Sequence, residues 1–235
     1  MAGRRRPSPA AVEQLPLPVR LADESTFDNF LLRRAFEMLI AAAQAPAQDP
    51  VNFLHGGSEG GKSHLLQAVC HHRPGAVYLP LRELVEFSPD AVLAGLEDLP
   101  LLALDDLQSV VGVAVWEEAL FHLINRARSA ACPLWFAASK PPASLGIELA
   151  DLRSRLGGGL LWALPPPDDE DRQAILRFRA DRRGLRLSPA VAAYIVRRGR
   201  RSLNDLLVIL DDLDEASLRL QRALTIPFVR EVMGW

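Results

Sequence analysis

One octapeptide in the sequence has the spacing of a phosphate-binding loop. It matches the pattern G-x-x-x-x-G-K-[ST] and reads Gly56-Gly57-Ser58-Glu59-Gly60-Gly61-Lys62-Ser63. The glycines let the backbone curl so that successive N–H groups face the phosphates, Lys62 reaches the β- and γ-phosphate oxygens, and the Ser63 hydroxyl binds Mg²⁺. We therefore expect this segment, with His64 directly after it, to bind ATP or ADP together with Mg²⁺.

A second segment supplies the carboxylate that such a metal site needs. Leu101–Leu104 is an apolar run typical of a strand, and Asp105 and Asp106 follow it directly. We expect Asp105 to hold Mg²⁺ directly or through water. Asp106 lies where many related proteins carry a glutamate that activates water. Because an aspartate side chain is shorter, we expect slow hydrolysis.

The pattern between residues 51 and 164 predicts the sheet that must position these residues. Short apolar runs typical of buried strands alternate there with stretches of helical period. Since strands joined by crossover helices pair in parallel, we expect an α/β fold with a five-stranded parallel sheet between helices and ligands at its carboxyl edge. The predicted strands are Val51–His55, Ala76–Pro80, Leu101–Leu104, Pro133–Ala138 and Leu160–Leu164, and the helices between them are Lys62–His72, Val115–Ser129 and Leu149–Leu156.

The rest of the chain divides into an arm and a helical end. Residues 1–23 are rich in Pro, Arg and small residues, which predicts a flexible or extended arm. Beyond Pro165-Pro166-Pro167 only helical periods occur, with Asp168 and Ser188 as predicted N-caps. We expect a nucleotide-binding domain at residues 24–165 and a small all-helical domain at residues 166–235. The further predicted helices are Leu31–Gln44, Asp168–Arg183, Ser188–Arg198, Arg201–Leu224 and Pro227–Met233.

The composition excludes several classes of protein. Apolar residues make up 49% of the 235 residues, enough for a full core, yet no apolar run approaches the roughly 20 residues of a membrane span. Cys70 and Cys132 are too few for a disulfide scaffold. A net charge of −2 argues against a surface that binds nucleic acid throughout, although Arg4–Arg6 and Arg197–Arg201 are local basic clusters. We expect a cytoplasmic protein without membrane contact.

Several segments together resemble the DnaA branch of the AAA+ ATPases, and the resemblance covers nearly the whole chain. Thr26-Phe27-Asp28-Asn29-Phe30 resembles the family's segment that packs on the adenine, and Leu104-Asp105-Asp106-Leu107-Gln108 resembles its Walker B segment. Asp171–Leu176 and Arg182–Leu185 resemble its lid. The resemblance implies an AAA+ P-loop NTPase core followed by a small helical lid domain, with Phe27 and Phe30 against the adenine.

The resemblance also implies two sensor positions. Ala138-Ser139-Lys140-Pro141-Pro142 corresponds to the sensor 1 turn, where a polar side chain contacts the γ-phosphate or the attacking water; Ser139 replaces the usual Asp or Asn. At sensor 2 the family has an arginine near the start of the long lid helix, and the register puts Asn204 there. Either Arg201 substitutes from one turn earlier, or part of the coupling between nucleotide and lid is lost.

A third segment, Asp151-Leu152-Arg153-Ser154-Arg155-Leu156, resembles the family's box VII. In that motif a helix ends with an arginine aimed at the nucleotide held by a neighbouring subunit. Arg155 is the predicted finger, and Arg153 lies on a nearby turn and could share or replace the role. Such an arginine stabilises charge on the transferred phosphoryl group and raises rates by about 10³ to 10⁵ where this has been measured.

The N-terminal arm resembles a short peptide that binds sliding clamps. In Gln14-Leu15-Pro16-Leu17-Pro18, Gln14 would make polar contacts at the rim of the clamp's groove, and Leu15 and Leu17 would fill its apolar pocket. A peptide stiffened by proline loses less entropy when it docks. At the other end, we expect no room after Trp235 for the DNA-binding domain that the initiator carries beyond its lid.

The resemblance implies three partners: the initiator DnaA, the DNA polymerase III β sliding clamp and, through the clamp, DNA. It implies a regulator that stimulates hydrolysis of DnaA-bound ATP and prevents re-initiation, with weak or no ATPase activity of its own. One alternative is an AAA+ ATPase that loads a helicase or transposase onto DNA, and another is a truncated initiator paralogue that only oligomerises with DnaA. The working ligand, ADP or ATP, is left open, and so is a homodimer or nucleotide-dependent oligomer.

Overall fold

The fold is described by a computed structural model of Leu21 and residues 25–45, 51–200 and 202–235. Five strands form one parallel sheet in the order β2-β3-β4-β1-β5, which confirms the predicted α/β sheet. Each strand boundary lies within one residue of its predicted position. The strands are β1 (Val51–His55), β2 (Val77–Pro80), β3 (Leu102–Asp105), β4 (Leu134–Ala138) and β5 (Leu160–Ala163).

Two separate apolar clusters bury the two faces of the sheet. Phe53 and Phe136 pair across β1 and β4 in one cluster, with ring centroids 6.4 Å apart. The next residue of β1, Leu54, and the preceding residue of β4, Trp135, belong to the cluster on the opposite face. This burial on both sides explains why the strands read as continuous apolar runs rather than alternating patterns.

The described residues contain ten α-helices, and six of the predicted helices begin and end within one residue of their predicted positions. Two short helices between β2 and β3 were not predicted, because each is too brief to show a helical period. None of the helices is long and apolar enough to span a membrane in the described ranges. The helices are α1 (Glu37–Gln44), α2 (Lys62–His72), α3 (Leu81–Leu84), α4 (Pro89–Leu93), α5 (Ala114–Ser129), α6 (Ala150–Gly157), α7 (Asp169–Arg182), α8 (Pro189–Arg198), α9 (Leu203–Leu220) and α10 (Ile226–Met233).

Two predicted helices were too long. The helix predicted from Leu31 begins as a 3₁₀ turn at Arg34 and becomes α-helical only at Glu37. Arg33 is extended there because its guanidinium donates to the carbonyl of Pro165 and the carboxylate of Asp171, contacts that local sequence does not reveal.

The second correction concerns α9, which was predicted to continue to Leu224 but ends at Leu220. Gln221 has the left-handed backbone conformation (φ 49°) and takes the C-cap position. Leu224 is buried in the core of the helical end. Because it follows Leu220 by four residues, which is a helical spacing, the sequence pattern wrongly predicted that the helix continues to it.

The helical end has its own apolar core, built from α7 to α10. The predicted N-caps are confirmed: the Asp168 side chain accepts from the Asp171 backbone N–H, and the Ser188 side chain accepts from Val191. Asp171 completes a capping box by accepting from the Asp168 backbone. These capping hydrogen bonds fix the residues at which α7 and α8 begin.

Candidate functional site

The glycine-rich segment forms the turn between β1 and α2, at the carboxyl edge of the sheet. Gly61 is the N-cap of α2 in the left-handed conformation (φ 82°), and a Cβ there would lie 2.9 Å from the Phe30 ring. A Cβ on Gly56 would lie 2.1 Å from the Leu164 carbonyl oxygen, a distance that no side chain tolerates. The loop therefore requires glycine at both positions and keeps its backbone closely curled.

Lys62 turns back into this loop. Its side chain is buried, and its Nζ donates to the carbonyl oxygens of Gly56 (2.8 Å) and Gly57 (2.6 Å). Burial lowers the pKa of Lys62, while the negative charges of Asp105 and Asp106 act in the opposite direction. The ammonium group is therefore held by the loop and lies within electrostatic reach of the two carboxylates.

Asp105 ends β3 and is held by two donors. Its Oδ2 accepts from the Tyr78 hydroxyl at 2.8 Å, and its Oδ1 accepts from the Asp106 backbone N–H at 2.8 Å. Burial and the neighbouring Asp105 charge raise the pKa of Tyr78, so that its hydroxyl remains a donor. Asp105 is itself buried (2% exposed) and interacts electrostatically with Lys62.

Asp106 belongs to a polar chain that reaches the end of β4. Its backbone is left-handed (φ 54°), and its carboxylate accepts from Gln108 Nε2 at 2.7 Å. It also forms an ion pair with Arg82 at 3.2 Å. The Gln108 side-chain oxygen accepts from the Ser139 backbone N–H at 3.1 Å. The structure thus brings together Asp106 and Ser139 through Gln108, although the Ser139 side chain is exposed and makes no described contact.

A cavity of about 380 Å³, here called the lid cavity, lies between this loop, the segment before α1 and the helical end. Of the two predicted adenine-packing residues, Phe30 lines the cavity but Phe27 does not: its ring lies edge-on against His72 at 5.8 Å. His64 lines the cavity, 5.3 Å from the Phe30 ring, and its Nε2 is hydrogen-bonded to the Thr26 carbonyl. The lining residues are Asn29–Leu31, Arg33, Phe36, Ser58, Glu59, Gly61–His64, Ile175, Phe178, Arg179, Ser202–Asn204 and Leu207.

Glu59 joins the loop to the helical end. Its Oε2 pairs with Arg172 of α7 at 2.9 Å, and its Oε1 accepts from the backbone N–H of Leu203, the first residue of α9, at 3.1 Å. Glu59 was predicted to bind the nucleotide as part of the loop, and Arg172 was noted only within the segment that resembles the lid. No local signal reveals this pair, because the two residues are 113 positions apart.

The sensor 2 region lies beside the loop. Asn204 lines the lid cavity from the first turn of α9. Arg201, its predicted substitute, lies outside the described residues, as do Gln14, Leu15 and Leu17 of the arm.

Arg155 lies elsewhere, near the end of α6. It is half-buried and lines a surface depression of about 400 Å³, here called the arginine depression, which shares no lining residue with the lid cavity. The Arg155 side chain makes no hydrogen bond or ion pair with any other described residue, whereas the exposed Arg153 donates to the Ile147 carbonyl at 3.1 Å. The depression is lined by Phe121, Arg128, Asp151, Ser154, Arg155 and Gly158.

The residues present at the loop fit a nucleotide with Mg²⁺. The loop offers a tightly curled backbone, a buried lysine and the exposed Ser63 at the start of α2. Asp105 is the nearby buried carboxylate, and the described residues contain no group of three or more His, Cys, Asp or Glu side chains that could hold a metal by themselves. One hydroxyl and one carboxylate are the donor set of a cation that takes its other ligands from phosphates and water.

Comparisons with known sequences bear on both parts of the chain. A sequence model of the Hda lid domain matches residues 169–233, which are α7 to α10 with their connections. An uncharacterized protein from Haemophilus influenzae is 38% identical over 229 residues, and the match covers 94% of this chain and 99% of that protein.

Comparisons with solved structures cover the sheet and the helical end together. Domain III of the replication initiation protein DnaA from Thermotoga maritima has a TM-score of 0.75 at 22% identity, covering 92% of this chain and 98% of that one. AMPPCP-bound DnaA from Aquifex aeolicus has a TM-score of 0.68 at 21% identity, covering 81% of this chain and 65% of that one. The RuvB branch migration motor from Thermotoga maritima has a TM-score of 0.67 at 18% identity, covering 89% and 71%. At these identities the likeness establishes the fold.

Proposed function

We infer the function of this chain from the family to which it belongs, that of the DnaA-like AAA+ proteins related to Hda. The five-stranded parallel sheet between helices and the C-terminal helical lid are the AAA+ fold. We propose that the chain is a DnaA-related regulator of replication that stimulates hydrolysis of the ATP bound to DnaA. Its own nucleotide would serve as a regulatory ligand.

The loop and its carboxylates are proposed to hold ATP or ADP with Mg²⁺. Backbone N–H groups at the start of α2 and the Lys62 ammonium bind the phosphates, while Ser63 and Asp105 hold the metal. The Mg²⁺ nucleotide, when bound, supplies a polyphosphate whose charge differs between the ATP and ADP forms. The AMPPCP bound to DnaA from Aquifex aeolicus, which has this fold, supports nucleotide binding by this chain.

Two features favour weak hydrolysis by the chain itself. Asp106 is already engaged by Gln108 and Arg82, and its side chain is shorter than the glutamate usual at this position. Asn204, which carries no charge, stands beside the lid cavity where the family has an arginine. A site with these substitutions retains the groups that bind phosphate and loses groups that polarise its transfer.

The single observation that carries the proposal is the state of Arg155. It is half-buried and lines the arginine depression without a partner among the described side chains, at a place separate from the lid cavity. A half-exposed guanidinium without an ion pair keeps all its donors free for an anion such as a phosphate group. We propose that this anion is the phosphate chain of a nucleotide on DnaA, with Arg155 as the finger and Arg153 as the alternative.

The proposal is tested by mixing this chain with clamp loaded on DNA and with ATP-bound DnaA, and following conversion of DnaA to its ADP form. We expect the wild-type chain to accelerate conversion and Arg155→Ala to lose the acceleration. Arg219→Ala, an exposed arginine at the last turn of α9, is the matched control and should behave as wild type. Equal acceleration by Arg155→Ala would reject the finger. No acceleration by the wild-type chain, with ATP-dependent delivery of a helicase or transposase instead, would favour a loader.

The arm is proposed to tether the chain to the sliding clamp. Gln14, Leu15 and Leu17 belong to the part of the chain outside the described residues, so the support comes from the motif alone. We expect Gln14→Ala with Leu15→Ala to abolish retention on immobilised clamp while nucleotide binding is unchanged. Undiminished retention would remove the tether from the proposal and leave the Arg155 mechanism to be judged on its own test.

A further inference from the structure

Glu117 is a buried charged residue that the phosphate chemistry does not use. It lies at the start of α5 and is only 2% exposed. Its neighbours in the core are apolar, among them Trp116 and Leu120. A carboxylate in such surroundings is costly unless several donors stabilise it, so its contacts show what it does.

Three backbone amides donate to the Glu117 carboxylate. Gly112 donates to Oε1 at 2.8 Å, and Leu149 donates to Oε2 at 2.7 Å. Glu148 donates to both oxygens, at 3.2 and 3.1 Å. The carboxylate thus binds one amide from the loop before its own helix and two from the loop before α6.

These amides lie at or directly before the starts of two helices. Leu149 is the N-cap of α6 and Glu148 precedes it, and no side-chain hydrogen bond from the N-cap closes that helix. Gly112 directly precedes Val113, the N-cap of α5, which likewise makes no side-chain cap. Glu117 therefore binds the Leu149 amide, which α6 leaves without an internal partner, and its negative charge suits the positive end of each helix dipole.

Glu117 joins the loop before α5, which follows the Walker B segment, to the loop before α6, the helix that carries Arg155. Gly112 follows the 3₁₀ turn Leu107–Ser109, which begins directly after Asp106. Leu149 begins the helix that carries Arg153 and Arg155. The Gly112 and Leu149 amides are bound by different oxygens of one carboxylate, so α6 is fixed relative to the Walker B turn.

We propose that Glu117 is a positioning residue for Arg155: its carboxylate fixes the start of α6 against the turn that follows Asp105 and Asp106. The inference rests on the proposed function, because Arg155 has a role only if it reaches a partner's nucleotide. A displaced α6 would still form the same core but would present the guanidinium in the wrong place.

The test replaces Glu117 by glutamine, which keeps the volume but turns one acceptor into a donor facing backbone N–H groups. Glu118→Gln, the adjacent and exposed position on α5, is the matched control. We expect Glu117→Gln to lower the maximal acceleration of DnaA-bound ATP hydrolysis by about 10- to 100-fold, with little change in the half-saturating concentration. We also expect faster hydrogen exchange at the amides of Glu148 and Leu149 and unchanged nucleotide binding.

Hydrogen exchange separates positioning from general damage. If Glu117 acts by fixing the start of α6, Glu117→Gln should speed exchange at the Glu148 and Leu149 amides, whereas Arg155→Ala should lose the acceleration with wild-type exchange at both. Faster exchange throughout the sheet and the helical end of Glu117→Gln, or full acceleration by Glu117→Gln with unchanged exchange, would overturn the inference while leaving the proposed function intact. No acceleration by the wild-type chain would overturn the proposed function and this inference together.

Should Glu117→Gln fail to fold, Glu117→Asp provides the same test. It keeps the charge but shortens the side chain by one methylene, so that the carboxylate cannot reach the Gly112 and Leu149 amides together. We expect a smaller loss of maximal acceleration and faster exchange at the Leu149 amide. Wild-type values of both would overturn the inference.

Discussion

At the scale of the residue, the phosphate site depends on a few side chains held by neighbours distant in the sequence. Lys62, Ser63 and Asp105 could be predicted because their spacing lies within single short segments. Tyr78 and Arg82, which hold the two aspartates, could not, since each reaches its partner only after β2 and β3 pair. The place of Phe27 beside the adenine stays a prediction of the resemblance; its ring packs edge-on against His72 and does not line the lid cavity.

Lys62→Ala should remove most nucleotide affinity. The buried ammonium is the positive charge between the loop carbonyls and Asp105, and hydrogen bonds to charged groups contribute about 1.5–3 kcal/mol each. We expect the dissociation constant of a fluorescent ADP or ATP analogue to rise by about 100-fold or more, with far-UV circular dichroism unchanged. An affinity within a factor of about two of wild type, in a folded variant, would contradict the assignment of the loop.

At the scale of the element, the strands and most helices could be predicted because buried faces require apolar residues at regular intervals in the sequence. The contacts that join the loop to α7 and α9 could not be predicted in this way. Glu59 attaches α7 and α9 to the loop through Arg172 and the Leu203 amide. The next residue of α9, Asn204, stands where the family has the arginine that couples the nucleotide to the lid. We propose that the contacts of Glu59 provide this coupling instead.

Reversing the ion pair between Glu59 and Arg172 tests this coupling. Arg172 and Glu59 are 17% and 22% exposed, so their interaction is only partly screened by water. We expect Glu59→Arg to speed nucleotide dissociation on the order of 10-fold and to increase hydrogen exchange at the start of α9. Glu59→Arg with Arg172→Glu should recover part of both, measured by stopped-flow release of the fluorescent analogue. Glu215→Gln, exposed on α9, is the control, and no effect of Glu59→Arg would exclude the link.

At the scale of the whole molecule, the chain presents two chemically different sites. The lid cavity is closed by residues from the loop, the segment before α1 and the lid, and it suits a ligand that holds these parts together. The arginine depression lies on α5 and α6, shares none of those residues and carries an arginine without a described partner. Box VII pointed to the second site from sequence, but its separation from the first became visible only with the fold.

Labelling the two nucleotides separately shows whether the catalysis assisted by this chain occurs on its partner's nucleotide. In one reaction DnaA carries ATP radiolabelled on the γ-phosphate and this chain carries unlabelled nucleotide; in the other the label is reversed. We expect clamp and wild-type chain to accelerate release of labelled phosphate only from DnaA, and Arg155→Ala to abolish this acceleration. Accelerated release from the chain's own nucleotide, with the DnaA-bound label unaffected, would contradict this expectation.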